Sequence, residues 1–434
     1  MPGSHFVDLS PLKHSAAFTR MWIGSSMAGL GSQLTIVAVM LHMYAMTGST
    51  FAVSMIAFSG LVPMILAGLY GGMLADAFDR RTVALLAACV TWVSTGLLAV
   101  LAWAHWVNPA WLYALTIINS ASNSIVMATR SAIIPRLIPR SMLPAASALQ
   151  GVTFGAMVMV GPALGGVLVA LTDYSWTYTI DVVLMSTLFL GLWSLPRIRP
   201  EGESSRPGLK ALMEGMRFLR GARTIRTLYL LDMTAMTFGH PIALFPAVGA
   251  QLIGGAEITS GILTASSAVG MFLASVFSGR FGGVRRQTRA LLRATKVFAL
   301  GGAALGVVLL LAALGIWRPA GGVDAHTVNL PLLLCAGFAL VVMGASDQVG
   351  AIFRSTIMQS AVPDAMRGRQ QGIFTVVVAG GPRLGALYMG TLATLTSLWF
   401  PPLLGGFVII AVVAVLTRLV HPAFRDYDAA DPVP

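Results

Sequence analysis

Long apolar runs with few interior charges make up most of the chain. Six lie at 21–46, 51–75, 82–104, 110–129, 142–171 and 176–195, and six more at 227–253, 258–279, 297–317, 328–353, 371–395 and 398–417. Each run reaches the roughly 20 residues that a helix needs to cross a bilayer. The pattern predicts an all-α membrane protein with twelve transmembrane helices in two six-helix halves. An even number of crossings puts both termini on the same side of the membrane.

The polar stretches between these runs predict the domain organisation. Residues 1–195 form the N-terminal half, 196–226 a linker, 227–420 the C-terminal half and 421–434 a tail. After Pro207, apolar residues recur at helical spacing from Leu209 to Leu219, with charged residues between them. This spacing predicts an amphipathic helix in the linker, lying either on the inner membrane surface or against a partner protein.

The distribution of basic residues predicts the orientation. All but two of the 28 Lys and Arg residues fall in the tails and the even-numbered connections, to which Arg130, Arg136 and Arg354 are assigned. Basic residues collect on the cytoplasmic side of membrane proteins. Both termini are therefore expected in the cytoplasm, and the net charge of +12 reflects this orientation rather than a nucleic-acid partner.

Composition narrows the possible functions further. Hydrophobic residues make up 56% of the chain and charged residues 10%, whereas soluble domains carry about 25% charged residues. A soluble enzyme is excluded, and the pattern contains neither a metal-ligand cluster nor a nucleophile–base pair. No phosphate-binding Gly-x4-Gly-Lys-Ser/Thr motif occurs, so ATP is not the direct energy source. We expect a protein without a cofactor, driven by a proton gradient.

The two halves resemble each other in sequence. GPALG at 161–165 matches GPRLG at 381–385, and Arg130-Ser131 matches Arg354-Ser355 at an offset of 224. Their order along the chain is the same in both halves. The repeat predicts two parallel halves with a ligand site near the middle of the membrane, opened alternately to each side.

A charged motif follows the second apolar run. GGMLADAFDRR at 71–81 contains Gly72, Asp76, Asp79, Arg80 and Arg81. In this position it resembles the loop signature of the major facilitator superfamily. The resemblance implies the major facilitator fold and a loop that latches the outward-open state. The corresponding loop of the second half has Gly283 in place of the acid, so the latch is expected chiefly in the first copy.

A second stretch resembles an exporter signature of the same superfamily. Run 142–171 contains Gly161, Pro162, Gly165 and Gly166, which match the end of its glycine–proline motif. Ordinary small-residue packing would use the same residues. With MTGST at 46–50 and LFPA at 244–247, the chain is similar to the branch that contains bacterial enterobactin (siderophore) exporters and drug and macrolide efflux pumps.

Four of the ionisable residues inside predicted spans stand out, because charges there are costly and commonly functional. They are Asp232 and His240 in span 7, Asp347 in span 10 and Arg383 in span 11. The resemblance implies that spans 1, 4, 7 and 10 line the cavity. Arg383 either forms a structural ion pair with Asp347 or Asp232, or competes with a proton at one of these carboxylates and grips an anionic substrate. Asp181 in span 6 is a weaker candidate.

Uncharged polar residues complete the predicted cavity. They suit either a large, partly apolar substrate or hydrogen bonds between helices. The candidates are Ser25, Ser26, Gln33, Thr35, Asn119, Asn123 and Gln348.

Together these patterns predict a secondary active exporter of the prokaryotic inner membrane. We expect a monomeric proton antiporter, surrounded by membrane lipids, that moves a siderophore-like or drug-like amphipathic small molecule out of the cell. The alternative is a membrane sensor or a lipid-moving protein that uses the same fold, because fold alone does not determine function.

Overall fold

The structure, a computed structural model, describes residues 9–139, 142–195, 217, 219, 221–277, 284–316, 327–362, 364–420 and 424. The predicted linker helix after Pro207 and the second-half loop at 278–283 lie outside the described residues, apart from Arg217 and Leu219, which are helical. The chain divides into two compact units, Met1–Met46 with Ser59–Arg206 and Thr47–Phe58 with Pro207–Pro434.

All regular structure in the described part of the chain is helical. The helices are α1 (Ser10–His14), α2 (Ala16–Thr47), α3 (Thr50–Ser59), α4 (Leu61–Ala77), α5 (Arg80–Trp103), α6 (Pro109–Leu137), α7 (Leu143–Thr172), α8 (Tyr174–Trp193), α9 (Arg223–Gly239), α10 (Phe245–Val248), α11 (Ala256–Val276), α12 (Gln287–Ala313), α13 (Leu330–Ala361), α14 (Asp364–Leu395) and α15 (Phe400–Val415).

Ten helical segments of the described chain are long and apolar enough to cross a membrane. The two remaining predicted spans correspond to α6 and α14, which are 29 and 32 residues long but carry more polar residues. The all-α membrane architecture is therefore confirmed, and the helices are consistent with the predicted twelve crossings.

Predicted span 2 is divided into two helices at Gly60. Its first part, α3, packs within the second unit, where Thr50 Oγ1 donates a hydrogen bond of 3.0 Å to the carbonyl oxygen of Gly390 on α14. The Phe51 N–H donates to Thr394 Oγ1 at 3.2 Å. A Cβ at Gly390 would lie 2.5 Å from Ser54 Cβ, so the glycine allows α3 to approach α14 closely.

The helix that contains Asp232 ends where the sequence places a proline. α9 stops at Gly239, His240 has an extended backbone, and a 3-10 turn at Ile242–Leu244 follows Pro241. A proline at Pro241 removes a helical hydrogen-bond donor, which accounts for the break. Pro246 lies in the first turn of α10, where a proline is tolerated.

Two corresponding helices begin with the same type of cap. Asn108 accepts a hydrogen bond of 3.1 Å from the Trp111 N–H at the start of α6. Asn329 accepts one of 3.3 Å from the Leu332 N–H at the start of α13. Asparagine is a favoured residue at this position because its side chain satisfies a free N–H of the first turn.

Three arginines assigned to connections lie within helices instead. Arg130 and Arg136 are part of α6, and Arg354 is part of α13. The apolar runs end before these residues, but the helices continue, and Arg130 and Arg354 line cavities inside their own units. The assignment of Arg130, Arg136 and Arg354 to connections is therefore replaced by positions within helices.

Candidate functional site

An ion pair lies inside the second unit. The Arg354 guanidinium on α13 donates a hydrogen bond from Nη1 to Asp232 Oδ1 on α9. The two side chains are 9% and 1% exposed, respectively. Because water cannot screen these charges, each of them depends on the other for compensation.

Asp347 lies in the same cavity as this ion pair. The cavity contains about 340 Å³ of empty space, including its mouth, and Asp232, Asp347, Arg354 and Ser346 contribute to its walls. Asp347 precedes Arg354 by seven residues, so the two lie on the same face of α13. Asp347 forms no ion pair with a residue that the structure describes. One arginine is therefore placed beside two carboxylates, and only Asp232 is bound to it.

Other predicted residues of this unit lie elsewhere. Neither His240, Arg383 nor Gln348 lines this cavity. His240 ends α9, and its Nδ1 is buried without a hydrogen-bond partner among the described residues. Arg383 is half-buried on α14. The predicted alternative of an ion pair between Arg383 and Asp232 or Asp347 is wrong, because Arg354 is the partner of Asp232.

The predicted cavity residues of the first unit divide into two groups. Ser25 and Ser26 line a cavity together with Arg130. Thr35 and Asn119 instead form hydrogen bonds between helices: Thr35 Oγ1 donates to Asp181 Oδ2 at 2.6 Å, and Asn119 Nδ2 donates to Thr95 Oγ1 at 3.0 Å. Asn123 is exposed and Gln33 packs against Gly161, so neither lines this cavity.

The glycine–proline stretch serves helix packing in the first unit. A Cβ at Gly161 would overlap the Gln33 side chain, and one at Gly165 would lie 3.2 Å from Leu34 Cα, both on α2. Pro162 and Gly166 are buried in the same part of α7. In the second unit, α14 approaches α9 in the same way at Gly381 and Gly385. The repeat detected in the sequence is thus a repeated helix contact.

The arginines of the charged motif bind the ends of neighbouring helices. Arg80 Nη1 donates to the Ala132 carbonyl oxygen on α6 at 2.9 Å, and Arg81 Nη2 donates to the Trp193 carbonyl oxygen on α8 at 2.9 Å. Cations are stabilised near helix C-termini, where carbonyl groups lack partners. Asp79 Oδ2 accepts from Thr82 Oγ1 at 2.9 Å. The contacts of Gly72 and of the Asp76 side chain lie outside what the structure describes.

Single apolar runs do not identify Arg130 and Arg354 as candidate site residues. The internal repeat contained the signal that could have found them, because the offset of 224 aligns the two arginines. Each lies near the C-terminal end of a long helix and lines a cavity of its own unit. Two matched arginines in apolar surroundings are more informative than either one alone.

Two units of membrane-length helices, with buried ionisable side chains inside them, are typical of a multi-pass membrane transporter. The chain belongs to the transmembrane secretion effector family of the major facilitator superfamily, whose model matches residues 7–433. Membership of this family makes the protein a transporter of the exporter type.

Curated relatives cover nearly the whole chain. The enterobactin exporter EntS of Citrobacter koseri is 25% identical over 434 residues, covering 99% of this chain and 98% of that exporter. EntS of Shigella boydii serotype 18 is 26% identical over 432 residues, covering 99% and 97%.

Solved structures share the fold at low sequence identity. A POT family transporter in complex with 5-aminolevulinic acid has a TM-score of 0.73 at 11% identity, covering 95% of this chain and 97% of that one. The xylose transporter XylE from E. coli, in an inward-open conformation, has a TM-score of 0.66 at 13% identity, covering 93% and 96%.

Proposed function

We propose that the protein is a monomeric proton antiporter that exports an amphipathic small molecule, siderophore-like in the first instance, across the prokaryotic inner membrane. Both termini lie in the cytoplasm, where the basic residues of the connections collect. The full-length similarity to enterobactin exporters favours a siderophore-like substrate over a drug or macrolide.

The observation that carries this proposal is the placement of Arg354 beside two carboxylates. When Asp232 is ionised, it neutralises the buried Arg354 guanidinium. When a proton binds Asp232, the arginine loses its counter-charge, and Asp347 on the same helix face becomes the available anion. Because an uncompensated charge inside a membrane protein is costly, proton uptake favours a rearrangement of α9 relative to α13.

Antiport requires that the proton-bound and proton-free forms prefer different conformations of the carrier. A ligand shifts a conformational equilibrium only by its difference in affinity for the two states. In this mechanism the exchange of Arg354 between Asp232 and Asp347 supplies that difference for the proton. The break of α9 at Gly239 and Pro241 lets this helix move without disturbing the whole span.

Transport can be tested in everted membrane vesicles that hold a proton gradient. Addition of enterobactin should release protons from vesicles that contain the wild-type protein, as reported by a pH-sensitive dye. Asp232→Asn and Asp347→Asn should each reduce this release at least tenfold, whereas Asp173→Asn should leave it unchanged. Asp173 is an exposed residue that caps α8 outside the cavity, and asparagine retains the oxygen that binds the Tyr174 N–H.

Asp347→Asn is the sharper of the two variants, because Asp347 holds no ion pair whose loss would disturb folding. Unchanged proton release in both variants would refute proton coupling at this site. A wild-type protein that binds enterobactin without moving protons would instead favour a sensor. Release of lipid rather than solute would favour a lipid-moving protein. A deletion strain that secretes siderophore normally but becomes drug-sensitive would overturn the proposed substrate class.

A further inference from the structure

The first unit contains a cavity whose spare hydrogen-bonding groups are donors. It holds about 390 Å³ of empty space, including its mouth, and lies between α2, α6 and α7. Its polar wall includes Trp22, Ser25 and Arg130.

Arg130 brings a positive charge into this cavity without a protein counter-charge. Its side chain is half-buried, and it forms no ion pair with any residue that the structure describes. Among the described residues, no aspartate or glutamate lines the cavity. The matching arginine of the second unit, Arg354, is bound to Asp232. Because a guanidinium in apolar surroundings is stabilised by a nearby anion, the cavity of the first unit is suited to an anionic group.

Two further hydrogen-bond donors in the wall of this cavity are also suited to binding an anion. Trp22 Nε1 and Ser25 Oγ are buried and have no hydrogen-bond partner in the part of the chain that the structure describes. An indole N–H can only donate, and a guanidinium has only donors. Trp22 and Ser25 are three residues apart, so they lie on one face of α2. The adjacent Ser26 is already satisfied, because its hydroxyl donates to the Trp22 carbonyl oxygen at 2.7 Å.

The remaining polar residues of the cavity use their donors within their own helix. Thr153 Oγ1 donates to the Leu149 carbonyl oxygen at 2.8 Å, and Gln150 Nε2 donates to the Ala146 carbonyl oxygen at 3.4 Å. Gln150 keeps a second amide N–H, and the other spare donors belong to Arg130, Trp22 and Ser25. Around them the wall is apolar, formed by Phe18, Met21, Ile134, Phe154 and Met157.

We propose that Arg130, Trp22 and Ser25 form a binding site for an oxyanion, a carboxylate or phosphate group, carried by an amphipathic molecule whose apolar part contacts the surrounding side chains. A cation with two further donors matches the oxygens of such a group. The oxyanion can belong to a dissolved solute or to the headgroup of a membrane lipid, and both present the same atoms to the site.

Binding of benzoate and of its neutral analogue benzamide tests the proposal. The purified full-length protein, in a neutral detergent, is titrated with each compound, and thermal unfolding is followed. Benzoate should raise the unfolding midpoint and benzamide should not. Arg130→Gln should remove the benzoate effect, and Trp22→Phe and Ser25→Ala should each weaken benzoate binding severalfold. Arg136→Gln removes the same charge from an exposed position on α6 and should leave benzoate binding unchanged.

A second experiment, in lipid nanodiscs, identifies the source of the oxyanion by competition between lipids and benzoate. If phosphatidylglycerol competes with benzoate and phosphatidylcholine does not, the site takes an anionic headgroup. If neither competes, it takes a dissolved anion. Equal benzoate binding by wild-type protein and Arg130→Gln, or no binding by the wild type, would overturn the proposal. Should Arg130→Gln fail to fold, unchanged affinity in both Trp22→Phe and Ser25→Ala is the overturning result. Because no gradient is involved, these outcomes are independent of proton antiport.

Discussion

Removing one partner of the Asp232–Arg354 pair should destabilise the protein far more than removing both. Asp232 and Arg354 have side chains that are 1% and 9% exposed, so the small value of a surface ion pair does not apply. Breaking a buried pair by one substitution costs about 3–5 kcal/mol, because the remaining charge has no compensation. We therefore expect Asp232→Asn and Arg354→Gln each to lose about 3 kcal/mol of unfolding free energy.

The double substitution removes both charges and leaves a hydrogen bond between two amides. Such bonds between membrane helices contribute about 0.6 kcal/mol on average, so the double variant should lose only about 1 kcal/mol. The difference between this loss and the sum of the two single losses is the coupling energy, which should be several kcal/mol.

The assay is reversible unfolding of the full-length protein in mixed micelles of neutral detergent and dodecyl sulfate, followed by circular dichroism. Wild type, both single variants and the double variant complete the cycle. A matched pair of substitutions at exposed positions, Asp173→Asn and Arg136→Gln, serves as the control and should show additive effects. If the losses at Asp232 and Arg354 also add within about 0.5 kcal/mol, the two side chains do not compensate each other and the reasoning fails.

Substitutions at three further positions test how the helices of each unit pack. Gly344→Ala should cost about 1–3 kcal/mol of stability, because the new Cβ would meet the backbone of α11 at Ser267. Gly155→Ala, with nothing within 4 Å, should be neutral or slightly stabilising in the same unfolding assay. Thr35→Val should destabilise the first unit by about 1–3 kcal/mol, since the buried Asp181 carboxylate loses its hydroxyl donor, while Thr35→Ser should retain most of the stability. Equal stability of the Thr35→Val and Thr35→Ser variants would show that the hydrogen bond from the Thr35 hydroxyl to Asp181 does not stabilise the protein.

The lengths of the apolar runs predicted the existence of the helices well. Where they misplaced a helix end or a division, there is a physical reason. An apolar run marks the part of a helix that contacts lipid or apolar side chains, so it ends at the first arginine. α6 and α13 continue to Leu137 and Ala361, and Arg130 and Arg354 enter cavities inside their own units. The division of predicted span 2 at Gly60 precedes Pro63, which cannot donate a helical hydrogen bond to the Ser59 carbonyl oxygen. The contact between α3 and α14 is not visible in local sequence.

The sequence predicts which residues belong to the candidate site more readily than it predicts which of these residues contact each other. Asp232 and Asp347 stand out in sequence because carboxylates are costly within spans. Their partner depends on which helices are neighbours, and the sequence favoured Arg383 where the structure has Arg354. Likewise, a polar residue in a span faces either a cavity or an adjacent helix. Thr35 faces Asp181 on α8, a contact that only the packed structure reveals.

The two units use matching arginines in different ways, and this difference has an electrical consequence. Arg354 is paired with the Asp232 carboxylate, whereas Arg130 belongs to the proposed oxyanion site. If the protein is a proton antiporter and that oxyanion is part of the exported molecule, one proton moves inward while one negative charge moves outward. Both movements carry positive charge into the cell, so the membrane potential drives them together, by about 2.3 kcal/mol per charge for each 100 mV. Each proton exchanged would then be accompanied by the movement of two charges. Movement of one charge per proton would instead indicate that the oxyanion is a lipid headgroup and not cargo.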